Sequence, residues 1–190
     1  MPDRALNLAI GVLWLAWLLF WWISARHVKP TLRQERLGSH IIHRLPLVLA
    51  GLLYATSAWL PSILRRRFLP PGNLPPAAGV LLITAGLGFS VWARVHLGRN
   101  WSANVVVKED HALVRSGPYR YLRHPIYSGI LLAFLGMAVA FGEWRGLVAL
   151  ALVFAAFSLK SWKEEAFMRE TFPDYAEYQR ETRALLPFVY

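Results

Sequence analysis

"PIYSGILLAFLGMAVAFGEWRGLVALALVFAAFSLKSWKEE", residues 125–165, decides the fold. It holds two apolar runs separated by the short polar link "GEWRG". About 20 apolar residues at 1.5 Å rise cross a hydrocarbon core of roughly 30 Å. The runs therefore predict two membrane spans, a fourth at about Ile126–Phe141 and a fifth at about Leu147–Trp162. A link this short makes them an antiparallel hairpin. Proline suits the first helical turn, because its fixed φ matches the helix and its missing N–H has no partner there anyway. Span four is thus expected to begin at Pro125. Its unpaired N–H groups and positive dipole end would then lie at the interface, where a bound carboxylate is stabilised.

Outward from this hairpin, three more apolar runs predict spans one to three, at about Ala5–Ser24, Ile41–Leu60 and Val80–His96. The 190-residue chain is 56% apolar, above the roughly 45–50% of an ordinary soluble domain. The expected fold is an all-α integral membrane protein of about five transmembrane helices, one structural unit. Residues 1–77 form its two-span N-terminal region. Residues 78–190 form its core, with a long polar segment at 97–125 and a C-terminal cytoplasmic helix. The prolines of "PSILRRRFLPPGNLPPAAG" make a poor helix interior. The first run is too long and too rich in Trp for a signal peptide and lacks a small-residue cleavage site, so a retained span is expected.

Several chemistries are excluded. Without cysteine there is no disulfide, thiolate nucleophile or Cys-based metal site. The net charge of +10 fits cytoplasmic loops and anionic headgroups rather than nucleic acid. With the spans above, sixteen Lys and Arg fall on the side of the span 1–2 loop, the polar segment and the tail, against five on the other. The positive-inside rule places that richer side, with the C-terminus, in the cytoplasm. The triplet Arg65–Arg67 dissents. No phosphate-binding loop and no HExxH occurs, and "GLGFSV" at 86–91 lies within a span and lacks a third glycine. No metal site is expected.

Two polar clusters remain, "NVVVKEDHALVRSGPYRYLRHPIY" at 104–127 and "KSWKEEAF" at 160–167. Glu164 and Glu165 follow about fifteen mostly apolar residues. Acidic groups at a membrane edge are costly unless solvated or paired, so they read either as the end of span five or as functional groups. Likewise Tyr119, Tyr121 and Tyr127 read either as an interfacial aromatic belt or as an aromatic wall for a base, with Arg123 and His124 as donors beside it.

"HALVxxGPYxxxRHPxYxG", a hairpin, "KxxKEExxxxxxFxxYxxY", a terminal "LLP" and an upstream "LGRNWS" together resemble the isoprenylcysteine carboxyl methyltransferase family and its phospholipid methyltransferase relatives. The resemblance covers roughly residues 80–190. It implies methyl transfer from S-adenosylmethionine, yielding S-adenosylhomocysteine, to a lipophilic or membrane-associated acceptor at the cytoplasmic face of the bilayer. It further implies cofactor contacts from Asn104, His111, Ala112, Leu113, Val114, Tyr119, His124, Pro125, Ile126 and Tyr127. Catalytic roles would fall to Glu164 or Glu165 and to Lys160, which stands where relatives carry an acceptor-binding arginine. Lysine keeps that charge but loses the bidentate fork.

The physics agrees. Methyl transfer is an in-line displacement, so alignment is the protein's main task. A carboxylate or thiolate acceptor needs no base, whereas an amine must first lose a proton, which a glutamate can take. Two other readings compete. A membrane sterol reductase would bind a nicotinamide cofactor through a box resembling "RHxNYxGD", where this chain has "RHPIYSG". A non-catalytic membrane scaffold is the other. A Cys-free basic chain of this size points to a prokaryotic inner membrane.

Overall fold

The computed structural model describes residues 4–26, 31–34, 37–55, 60–98, 106–108 and 113–186. Seven helices occur among them: α1 Arg4–Ser24, α2 Leu37–Ala55, α3 Ser62–Arg65, α4 Leu74–Leu97, α5 Pro125–Phe141, α6 Trp144–Thr171 and α7 Tyr175–Glu181. Two short strands, β1 Thr31–Gln34 and β2 Val106–Lys108, pair antiparallel with Thr31 opposite Lys108 and Gln34 opposite Val106. The all-α expectation holds for every long element, and this short ribbon is a local addition to it. It joins the loop after α1 to the segment after α4, the two regions that the charge asymmetry assigns to one side.

Three helices, α1, α4 and α6, are long and apolar enough to cross a membrane. At 17 residues α5 is a shorter apolar helix, as is the Leu45–Ala55 part of α2. The second run thus forms helix earlier than expected, its described part is Leu37–Ala55, and Leu60 itself is not helical. The third begins at Leu74, before Val80. Pro75 and Pro76 cause no break because they occupy the first turn of α4, whose N–H groups have no intrahelical partner. The fourth starts at Pro125 as expected, and the link to α6 is only Gly142 and Glu143. Gly142 ends α5 with a left-handed φ of 63°, the usual exit for a helix C-terminus. Helix α6 continues past its apolar stretch to Thr171.

Small residues bring α4 and α5 together. A Cβ on Gly86 would lie 2.5 Å from the Gly129 carbonyl oxygen, and one on Gly129 would lie 2.5 Å from that of Gly86. The glycine of "GLGFSV" is therefore a packing residue. Close backbone approach through small residues is how helices associate where no hydrophobic drive between them exists. Replacing Gly129 by leucine should destabilise the protein by about 1–3 kcal/mol through overpacking. Gly88→Leu, on the same α4 but with nothing within 4 Å of its Cβ position, should leave the melting temperature in micelles unchanged. Equal behaviour of the two variants would refute this packing account.

Helix α1 is mostly exposed, as a lipid-facing span would be, and is pinned at two points. Trp17 Nε1 donates to Ser90 Oγ at 2.7 Å. Buried Arg94, in the last turn of α4, donates to the carbonyls of Ser24 (2.7 Å) and Gly98 (2.8 Å). One guanidinium so closes the C-terminal ends of two helices, where orphan carbonyls gather. At the far end of the hairpin, the Trp144 amide donates to the Arg66 carbonyl and the Phe68 amide to that of Gly142. The Arg65–Arg67 triplet thus sits at the end of α5 and α6 opposite Pro125 and Glu164.

Candidate active site

The polar run before α5 folds as a 3-10 turn, Gly117–Arg120, then an irregular link to His124 that carries a single bridge at Leu122. Gly117 has φ 57°, and a Cβ there would meet the His96 imidazole at 2.6 Å. His96 Nε2 and Ser116 Oγ are 2.9 Å apart, and the His96 ring stacks on Tyr119 at 6.4 Å. The turn is thereby seated on the end of α4.

The tail locks the other edge. Leu122 and Arg183 form a parallel bridge: the Arg123 amide donates to the Arg183 carbonyl (2.8 Å), the Arg183 amide to that of Tyr121 (3.2 Å) and the His124 amide to that of Ala184 (3.1 Å). Ser128 Oγ donates to the Leu185 carbonyl, and Tyr178 Oη to the Tyr119 carbonyl at 2.7 Å. The sequence predicts an open N-terminus for this helix. Instead Pro125 and Ile126 are buried and the tail covers the first turn. Outside α7, Arg115 holds Asp174 at 2.6 Å.

Between these edges lies a connected charged cluster. Glu165 Oε1 accepts from Arg123 Nε at 2.6 Å and from His124 Nε2 at 3.2 Å, and Glu165 Oε2 accepts from Gln179 Nε2 at 2.6 Å. Arg123 also donates to the carbonyls of Gln179 and Thr182. Glu164 Oε2 lies 3.4 Å from His124 Nδ1. Glu164 Oε1 accepts from Tyr127 Oη at 2.7 Å and is 3.9 Å from Lys160 Nζ. His124 therefore bridges both carboxylates. Burial works against a charge on its ring, but the hydrogen bonds and fields of Glu164 and Glu165 outweigh that and raise its pKa above the ordinary value. Arg123, His124 and Lys160 together face the two carboxylates.

Helical spacing on α6 explains the two directions. Lys160 and Glu164, one turn apart, face Tyr127 of α5, whereas Ser161 and Glu165 face the tail. On the tail side a cavity of about 380 Å³ is lined by Ser161, Trp162, Glu165, Gln179, Thr182 and Arg183, with Arg123 also at its wall.

The structure thus gathers His124, Tyr127, Lys160, Glu164 and Glu165 into one cluster. Tyr119 is buried but makes its contacts with His96 and Ala93. Leu113 and Val114 are half-buried, with Val114 against the core. Asn104, His111 and Ala112 lie outside the described residues. Tyr127 is sandwiched between His124 (5.4 Å) and Phe157 (4.5 Å), so both of its faces are taken. Tyr121 is 67% exposed beside Arg120. Sequence reasoning missed Gln179 and Thr182; their only signal was proximity to the "YxxY" pair, Tyr175 and Tyr178, both buried.

Comparison with known proteins follows the same lines. Cobalt-zinc-cadmium resistance protein CzcN of Cupriavidus metallidurans is 33% identical over 141 residues, 74% of this chain and 58% of that protein. A probable protein-S-isoprenylcysteine O-methyltransferase of Oryza sativa subsp. indica is 34% identical over 110 residues, 57% of this chain and 52% of that protein. The chain spans between half and three-fifths of the length of these curated relatives. Its fold is similar to that of the eukaryotic intramembrane Ras methyltransferase, isoprenylcysteine carboxyl methyltransferase, with a TM-score of 0.51 at 19% identity, covering 82% of this chain and 54% of that one. The family model for phospholipid methyltransferases matches residues 75–175, from the first turn of α4 to the start of α7 and across the whole charged cluster. On that match, more than half of its length, the chain belongs to the phospholipid methyltransferase family.

Proposed function

We propose that this protein is an S-adenosylmethionine-dependent membrane methyltransferase. It acts on a lipophilic or membrane-associated acceptor, a carboxylate like that of a C-terminal isoprenylcysteine or a lipid group. In this reading five helices span the bilayer, residues 78–190 are the methyltransferase core, and the cluster with the C-terminus faces the cytoplasm of a prokaryotic inner membrane. The observation that carries the reading is the charged cluster at the start of α5 and the polar end of α6, inside the family-matched region.

The donor set suits the cofactor's amino-acid end. His124 supplies a cationic partner for its carboxylate, as does Lys160 in place of the acceptor-binding role the resemblance implies for it, and Glu164 supplies an acceptor for its ammonium. S-adenosylmethionine contributes an electrophilic methyl on a cationic sulfur. The protein's own residues align and neutralise. Tyr127, clamped between two rings, fixes Glu164 through its hydroxyl, and His124 fixes Glu164 relative to Glu165. Glu165, saturated by Arg123, His124 and Gln179, holds the tail, which leaves Glu164 as the carboxylate nearer the chemistry. Where the acceptor is an amine, Glu164 takes its proton before transfer. Alignment of this kind supplies much of the acceleration for a displacement.

Incubation of the purified protein in lipid with methyl-labelled S-adenosylmethionine and a membrane extract should yield a labelled amphiphile, whose chemical class identifies the acceptor. Calorimetry should show saturable binding of S-adenosylmethionine and none of NADPH. Saturable NADPH binding without S-adenosylmethionine binding would overturn the proposal in favour of a reductase.

A further inference from the structure

The cavity between α6 and the tail lies outside the residues expected to hold the cofactor, except for Glu165. Tyr119, Tyr127, Lys160 and Glu164 do not line it. Its charges are unequal in use. Both oxygens of Glu165 are taken by Arg123, His124 and Gln179, and Arg123 is committed to Glu165 and two carbonyls. The hydroxyls of Ser161 and Thr182 donate to the carbonyls of Ser158 and Tyr178. Arg183 differs. Its backbone is held by the bridge to Leu122, yet among the described residues its guanidinium has no hydrogen-bond or ion-pair partner. The cavity therefore offers one unspent positive charge on a fixed backbone. Trp162, 67% exposed, lines the same cavity one residue past Ser161. An exposed indole where an apolar helix turns polar is the side chain that borders lipid and water together.

Resting on the methyltransferase reading, we propose that this cavity is the acceptor's anion subsite: Arg183 binds the carboxylate or phosphate head of a membrane amphiphile whose tail leaves past Trp162. Both anions match the guanidinium fork, and about 380 Å³ falls in the range of small-ligand sites, roughly 300–1,000 Å³. Glu165 is the shared wall. A head held here lies across the Glu165–His124 contact from Glu164, so acceptor and cofactor meet at the cluster from neighbouring sides of α6, about 100° apart. The proposal separates two duties in one tail. Gln179 and Thr182 hold the cluster, and Arg183 reads the substrate.

The test is photolabelling of the full-length protein in phosphatidylcholine nanodiscs with diazirine-bearing dodecanoate and dodecyl phosphate, mapped by mass spectrometry. Label from at least one probe is expected within 161–165 and 179–184, and the stronger of the two tells carboxylate from phosphate. The plain anionic chain should displace it, and dodecyltrimethylammonium should not. Arg183→Gln should reduce labelling about tenfold, and Arg183→Lys should restore most of it. Calorimetric binding of S-adenosylmethionine should be the same in all three proteins. Equal labelling of Arg183→Gln, displacement by the alkylammonium, or competition by S-adenosylhomocysteine would each overturn the subsite. Absent labelling with intact S-adenosylmethionine binding overturns the subsite alone. Absent S-adenosylmethionine binding overturns the methyltransferase reading instead.

Discussion

Arg123→Leu is expected to lower the melting temperature in micelles by roughly 10 °C. The residue is the junction of three parts of the chain. Its Nε donates to Glu165 on α6, and one terminal nitrogen donates to Gln179 and Thr182 in the tail. Its side chain and that of Glu165 are only 12% and 11% exposed. Removing one partner of a buried pair costs about 3–5 kcal/mol, because the other charge is left uncompensated. For a chain of this length each kcal/mol moves the midpoint by about 2–4 °C. The backbone bridge at Leu122 does not replace the side chain, so limited proteolysis should cut near residue 180 first. Arg123→Leu combined with Glu165→Leu should recover much of the loss, since neither charge of that pair is then left without the other. A shift under about 3 °C for the single variant would show that the pair holds nothing together.

Glu164→Gln is expected to act on chemistry instead. The amide keeps the size of the carboxylate and loses its charge toward His124 and Lys160. Removal of one oriented electrostatic group commonly costs about 10²–10³ in kcat. Methyl transfer from labelled S-adenosylmethionine should fall by roughly that factor while the melting temperature moves by only a few degrees. Glu165→Gln should show the reverse balance, with a large loss of stability. Unchanged kcat and S-adenosylmethionine affinity in folded Glu164→Gln protein would remove Glu164 from the site.

The contrast shows which features the sequence carries. Pro125 was legible because proline in a first turn has one structural meaning, and the hairpin because a two-run pattern with a short link has one topology. Glu164 and Glu165 were legible as a pair but not as separate roles. Their difference comes from a 100° step around α6, which turns one toward Tyr127 and the other toward Gln179, a residue fourteen positions on. The β1–β2 ribbon was not legible, since "TLRQ" and "VVK" are too short to show alternation. The sandwiching of Tyr127 was equally hidden. Composition can count aromatic rings, but only packing decides which faces stay open.

The bridge between Leu122 and Arg183 also fixes an order of events. Arg123 and Thr182 are 59 positions apart, with the whole α5–α6 hairpin between them. In the five-span reading proposed above, their contact cannot form until both helices have entered the bilayer and α6 has returned to its starting side. In that reading the cluster is assembled only after insertion, and a chain stalled before residue 164 carries His124 without either carboxylate. On that reading, embedding in the membrane is a precondition of competence, enforced by chain connectivity alone.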